Sequence, residues 1–244
     1  MTMNITVVTH QFLELAILLT GMIMSVWFKK LSLIGAITGG FCGWLVFVGS
    51  GFTGIAIMTL FFVVATLATS WKVKDKREIN AAEENKGRRK ASKVLANAGV
   101  AAIAGVLAHL YNENTGLWKL LIAASFSAAT ADTLASELGT VYGKRFYNIL
   151  TFKPDIRGLD GVISFEGILI GMAGSTLIAD VYAIGFGWSS HWIIIIVAGT
   201  SGNLADSILG AGLERKGIIK NNAVNFLNTL IAALVAAGMY SLIC

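Results

Sequence analysis

Long apolar runs alternate with short polar gaps along this chain. Runs near 10–28, 31–49, 52–71, 91–111, 117–139, 161–184, 188–210 and 222–243 each hold about the twenty residues that a helix needs to cross a bilayer core. The pattern predicts an all-α fold, a polytopic membrane helical bundle of about eight transmembrane helices. The first three runs are separated by very short gaps, which leaves seven spans as the competing count. Three regions follow: residues 1–71 are N-terminal transmembrane helices, 72–90 a charged loop, and 91–244 the transmembrane region expected to carry the chemistry. In the first region Glu14 is the only acid, and Gly35, Gly39, Gly40 and Gly43 make a small-residue face. These spans read as scaffold or as a dimer surface, so a second copy of the chain is among the candidate partners.

Composition supports the membrane reading. Hydrophobic residues make up 55% of the 244 positions and charged ones only 14%, with a mean hydropathy of +0.72. Twenty-seven glycines against one proline point to closely packed transmembrane helices. The first run lacks the basic start and small-residue cleavage site of a signal peptide. Cys42 and Cys244 are far apart in apolar segments and read as packing residues. The net charge of +5 does not imply nucleic acid, because the basic residues sit in gaps between spans. With eight spans, every lysine and arginine except Lys119 falls on one side, which the positive-inside rule makes cytoplasmic. Both termini then lie outside. His10, His109 and His191 fall near the outer ends, away from the acids.

The rare polar residues inside the runs share one depth. Asp132 lies seven residues before the inner end of the fifth run, and Asp206 four before that of the seventh. Glu166 lies five residues into the sixth run and Asn97 six into the fourth, while Asn221, Asn222 and Asn225 open the last. At about 1.5 Å per residue, this places them within roughly 6–11 Å of one boundary. An ionised group facing lipid is expensive, so these acids are expected to face other helices or a cavity. Asp132, Ser136 and Gly139 share one helix face, as do Gly202, Asp206 and Gly210, whereas Glu137 points elsewhere or lies beyond its helix.

Two polar segments border this layer. The mixed-charge stretch Trp71–Lys90 reads either as solvated helix and lipid contact, or as a source of phosphate ligands in Arg88, Arg89, Lys90 and, just beyond it, Lys93. The loop from Thr151 to Gly161 carries Lys153 and Arg157, and Gly158 and Gly161 flank Asp160; it reads as a simple turn or as a phosphate loop. Carboxylates and asparagines without histidine or thiolate are hard ligands suited to Mg²⁺ shared with substrate phosphates. The chain has no Gly-x-x-x-x-Gly-Lys-(Ser/Thr) motif.

Five motifs recur in a familiar order: Lys90–Ala102, Ala131–Gly139, Gly158–Ser164, Asp206–Ala211 and Asn222–Leu227. In these the chain resembles the integral-membrane family that includes plant phytyl-phosphate kinase, and more distantly phytol kinase, dolichol kinase and CDP-diacylglycerol synthase. The resemblance implies that Asp132, Glu137, Asp160 and Asp206 belong to the polar site, with Asn97, Asn222 and Asn225 nearby. It departs from the family at Leu159, where a small hydroxyl residue is usual, and at Gly212 and Glu214, where threonine and glutamine are common.

The expected function is a membrane-embedded prenyl-phosphate kinase, transferring a phosphoryl group from a nucleoside triphosphate (CTP or another) to an isoprenoid monophosphate at the cytoplasmic leaflet. Mg²⁺ is the expected cofactor, held by Asp132 and Asp206, with Glu137 or Asp160 as a further ligand. Lys153, Arg157 and Arg89 are expected to neutralise phosphates. Further substrate contacts are expected at Lys93, Asn97, Ser136, Gly158, Gly161, Ser207, Gly210, Asn222 and Asn225. CTP-dependent nucleotidyl transfer to a lipid phosphate is the alternative within enzymes. A transporter with an acidic membrane site is the alternative outside them.

Overall fold

The computed structural model describes residues 5–78 and 88–243, with side chains from Phe12 onward in the first helix. Glu83, Glu84 and Lys86 of the charged loop lie outside the described residues, as do Cys244 and the side chain of His10. The all-α polytopic architecture holds. The helices are α1 (Ile5–Trp27), α2 (Leu33–Ser70), α3 (Val73–Glu78), α4 (Ala91–Leu110), α5 (Thr115–Tyr142), α6 (Phe165–Phe186), α7 (His191–Leu209) and α8 (Asn221–Ile243). Five of the described helices are long and apolar enough to cross a membrane: α2, α4, α6, α7 with its continuation to Glu214, and α8.

The second and third apolar runs form one helical stretch of 38 residues, about twice what a bilayer core needs. It folds back on itself at Gly51, whose φ of 62° is open to glycine and costly for other residues. A Cβ placed on Gly43 would lie 3.5 Å from Met58 Sδ, and one on Gly54 would lie 2.9 Å from Val46 Cγ1. At the open end of this hairpin Lys30 Nζ donates to Ser70 Oγ at 2.9 Å. The two halves of α2 are therefore antiparallel, and with them the described residues hold eight long helical segments.

α5 is the axis of the bundle and touches α2, α4, α6, α7 and α8. Its middle, from Ile122 to Ala131, is buried without interruption because small residues let the neighbours close in. Gly139 lies against Gly167 of α6, and Gly202 of α7 fits between Ala128 and the Asn228 carbonyl. On the other side of the bundle, Gly105 of α4 packs onto the backbone of Leu45.

The sixth run begins later than its apolar pattern predicts. Gly161 has a φ of 71°, and Val162–Ile163 (β2) pairs antiparallel with Tyr147–Asn148 (β1). Only then does Ser164 cap α6 by accepting from Gly167 N at 3.0 Å. Glu166 is thus in the first turn, not inside the span, and its Oε2 accepts from Lys144 N at 3.4 Å. α7 ends in a π-helical turn, Gly210–Glu214, closed by Arg215 N donating to Gly210 O at 3.0 Å.

Candidate functional site

At one end of the bundle, the entries of α4, α6 and α8 and the exits of α5 and α7 surround a cavity of about 930 Å³. From α5 come Asp132, Ser136 and Glu137; from α7 Asp206, Ser207 and Gly210; from α4 and the segment before it Arg89, Lys93 and Asn97. The α8 entry adds Asn222 and Asn225, and the turn before α6 adds Gly158, Asp160 and Gly161. The predicted polar layer, except Glu166, therefore lines one half-open space. Lys153 and Arg157 are not in its wall; both are exposed on the ribbon between β1 and β2.

Asp132 and Asp206 face each other across the gap between α5 and α7, their carboxyls within hydrogen-bonding reach. Asn228 Nδ2 donates to Asp206 Oδ2 at 2.8 Å. Lys93 is the cation whose charge acts on both carboxyls. It is held in place from α8: Lys93 Nζ donates to Asn221 Oδ1 at 2.7 Å. With its amide oriented to satisfy its neighbours, Asn225 also accepts from Lys93 Nζ at 2.8 Å and donates to the Asn221 carbonyl at 3.1 Å. Asn97, buried on α4, lies 3.1 Å from the same amide. A chain of amides thus fixes the lysine over the acid pair.

Glu137 has a different partner. Its Oε2 accepts from Lys76 Nζ of α3 at 2.5 Å. α5 runs on to Tyr142, so the residue points elsewhere because of helix rotation and not because the helix has ended. Asp160 sits opposite Glu214, which lines the cavity from the π-helical turn and is held by Asn221. A Cβ on Gly161 would collide with Ala211 N, so only glycine lets this turn press against the end of α7. Gly158, with a φ of 84°, completes the turn.

Arg215 holds the ribbon down. Its Nη1 donates to Asp155 Oδ2 at 2.8 Å and its Nη2 to Asp160 O at 2.7 Å. That guanidinium, with the Ile156 N–H and the Asn148 amide, keeps the Asp155 carboxyl below the usual carboxylate range. The Arg88–Arg89 segment is wired to the N-terminal spans: Arg89 N donates to Lys30 O at 2.9 Å and Ser32 N to Arg89 O at 3.0 Å. Arg89 Nη2 reaches Thr69 Oγ1 at 3.3 Å, and Thr69 itself lines the cavity.

Sequence reasoning missed Asn203, Asn228, Lys76 and the tie made by Arg215. Asn203 lies one turn before Asp206 and lines the cavity. Asn228 continues the face of Asn221 and Asn225 at i+7 and i+3, a spacing that would have found it. Lys76 left no local signal, since its partner is 61 residues away.

The family model for "Integral membrane protein DUF92" matches residues 16–233. The chain belongs to this family. Among its relatives, "Protein VTE6, chloroplastic" of Arabidopsis thaliana is 31% identical over 221 residues, covering 87% of this chain and 66% of that protein. An uncharacterized membrane protein of Synechocystis is 34% identical, over 81% of this chain and 78% of its own length. One of Methanocaldococcus jannaschii is 31% identical, over 84% of each. No solved structure matches the chain.

In this DUF92 chain no group of three His, Cys, Asp or Glu side chains stands in a metal-holding arrangement among the described residues. The donor set nevertheless fits Mg²⁺, which is usually held by one or two carboxylates and completes its shell with water and substrate phosphates. Asp132 and Asp206 are two such carboxylates. Asn228 Oδ1 beside them is buried without a hydrogen-bond partner, a lone acceptor next to the acid pair.

Proposed function

We propose that the chain is a prenyl-phosphate kinase with its site in this cavity, transferring the γ-phosphoryl group of a nucleoside triphosphate to an isoprenoid monophosphate. The observation that carries the reading is the facing pair Asp132 and Asp206, under an amide-held lysine, in a polar cavity at the membrane-embedded end of five helices. The family supports it, since the five motifs resemble those of the family that includes phytyl-phosphate kinase and the VTE6 protein is among the relatives.

An oxygen of the acceptor monophosphate attacks the γ-phosphorus. The bond from that phosphorus to the β,γ-bridging oxygen breaks, and the nucleoside diphosphate leaves with the electron pair. Such transfer is mostly positioning and charge neutralisation. Mg²⁺ held by Asp132 and Asp206 would supply neutralising charge at the phosphates. Lys93, fixed by Asn221 and Asn225, offers a cation at a set position. Arg89, in the segment just before α4, adds a second cation to the wall. The turn Gly158–Gly161 brings backbone close to the end of α7, where a phosphate finds N–H donors. The acceptor is already an anion, so no strong base is required.

The test is transfer from γ-labelled and, in parallel, α-labelled nucleoside triphosphates, CTP included, to phytyl, geranyl and geranylgeranyl monophosphates. A labelled isoprenoid diphosphate is the expected product. Label arriving only from the α-phosphate, with diphosphate released, would replace this reading with nucleotidyl transfer; no transfer to any acceptor would end it. We place the cavity at the cytoplasmic face. Cysteines introduced at Lys153 and Asn114 are then expected to label from opposite sides, Lys153→Cys from the cytoplasm.

A further inference from the structure

Lys76 is the most buried charged side chain described, 1% exposed, and no step of the proposed reaction uses it. It sits on α3, the short helix just after the hairpin of α2. Its ammonium donates to the last carbonyls of that hairpin, Ala68 O and Thr69 O, both at 3.0 Å, and to Glu137 Oε2 on α5. Two neighbouring contacts fasten the same junction: Trp71 Nε1 donates to Tyr142 Oη at 2.8 Å, and Lys72 Nζ lies 5.2 Å from the centre of the Tyr142 ring. Thr69, Glu137 and Thr140 all line the cavity, so this junction forms one of its side walls.

The ion pair has a consequence for the charge inside the cavity. Glu137 lies five residues along α5 from Asp132, close enough for the two carboxylates to repel. Unpaired, it would add a further negative charge to a space already lined by Asp132, Asp160, Asp206 and Glu214, which must accept the phosphates of two substrates. Lys76 cancels that charge from the protein side, and its three acceptors leave no ammonium donor for a ligand.

We infer that Lys76 is a positioning residue that neutralises Glu137 and holds the α3 junction as a cavity wall, so that Glu137 serves as the lysine's partner and not as a metal ligand. The inference rests on the kinase reading for its consequence on turnover, but not for the pairing itself. It predicts that each single variant strands one charge. Lys76→Met strands a carboxylate facing the cavity, and Glu137→Gln leaves the more buried Lys76 ammonium with neutral acceptors alone; stranding either buried charge is severe. Lys76→Met/Glu137→Gln removes both charges and restores balance.

The experiment uses the full chain purified in detergent, with wild type and these three variants. Two readouts are taken: the thermal unfolding midpoint, and nucleotide KM and kcat in the transfer assay. Lys76→Met is expected to lower the midpoint and raise nucleotide KM by about tenfold or more, with a smaller change in kcat. Glu137→Gln is also expected to lower the midpoint, and the double variant is expected to recover most of what either single variant loses in both readouts. If a single variant does not assemble, the comparison of the double variant with wild type still decides. A loss of turnover in Glu137→Gln as large as in Asp132→Asn, unrecovered in the double variant, would make Glu137 a direct ligand and overturn the inference. If wild type transfers no phosphate, the kinase reading falls, while the unfolding midpoints still test the pair: no recovery in the double variant refutes it.

Discussion

At the end of the bundle away from the cavity, Asp180 of α6 accepts a hydrogen bond from Trp192 Nε1 of α7 at 2.8 Å. At the cavity end, Asp132 of α5 and Asp206 of α7 face each other. All three are aspartates on long apolar helices beside a neighbouring helix. The first has a neutral, rigid donor supplied by the fold, set among aromatics: Tyr182 Oη lies 2.9 Å from His191 Nδ1, and Trp188 stands against Trp192. The second and third have each other, one amide and a tethered lysine. A carboxylate with a fixed neutral partner is complete as built, whereas two that face each other need a proton or a cation from outside. The depth of an acid in the membrane does not separate structure from chemistry; what faces it does.

The sharpest way to break this comparison is to remove one charge at a time while keeping shape. Asp132→Asn and Asp206→Asn are each expected to lower phosphoryl transfer by about 10²–10³-fold. The double variant should lose little more than the worse single one, as groups acting together do. Wild-type turnover in both single variants would put this pair in the same class as Asp180. A smaller effect is expected at the ribbon. Arg215→Met frees both Asp155 and the Asp160 carbonyl, and turnover should fall on the order of tenfold, since a misplaced turn costs orientation. Faster nicking between β1 and β2 by a protease would confirm the cause.

At the other end, Asp180→Asn keeps an oxygen for Trp192 and should leave turnover within about twofold. Trp192→Phe removes the donor and should instead cost about 1–3 kcal/mol of stability, read from unfolding. Large losses of turnover here would mean that the two ends are coupled. The smallest expected effect is one of pH. The folded Asp155 carboxyl titrates below its usual value, so its tie to Arg215 is fully present above the ordinary carboxylate pKa of about 3.9 and fades as pH falls through the lowered one. Protease resistance of the ribbon should therefore hold at pH 5 and weaken only in stronger acid.

The apolar runs were enough to place the spans, because a bilayer fixes helix length. Even the reversal inside α2 left a trace, as the gap between the second and third runs contains Gly51, with Gly49 and Gly54 in the run ends beside it. The equal depth of Asp132, Asp206 and Asn97 was legible for the same reason, since rise per residue converts directly to depth. Direction was harder. Lys153 and Arg157 belong to a basic loop beside the site, yet the pairing of Tyr147 with Ile163 and the anchoring by Arg215 turn that segment away from the cavity. The start of α6 was misplaced because Val162 and Ile163 are as apolar in a strand as in a helix. Glu137 could be assigned to the site by motif, but its true neighbour comes from α3, and no local pattern predicts which helix end a short amphipathic turn will cover.

The backbone pairing between Lys30–Ser32 and Arg88–Arg89 bears on how the protein is made. Ser32 offers its N–H, and Lys30 its carbonyl, to a segment translated more than fifty residues later. Until that segment leaves the ribosome, the first helical hairpin sits in the bilayer with these groups open to water or lipid headgroups. The early spans can insert but cannot finish this rim of the cavity end alone. Biogenesis should therefore pass through a stage in which α1 and α2 remain accessible to insertion machinery, ending when the entry of α4 arrives and Arg89 is delivered to its place in the cavity wall.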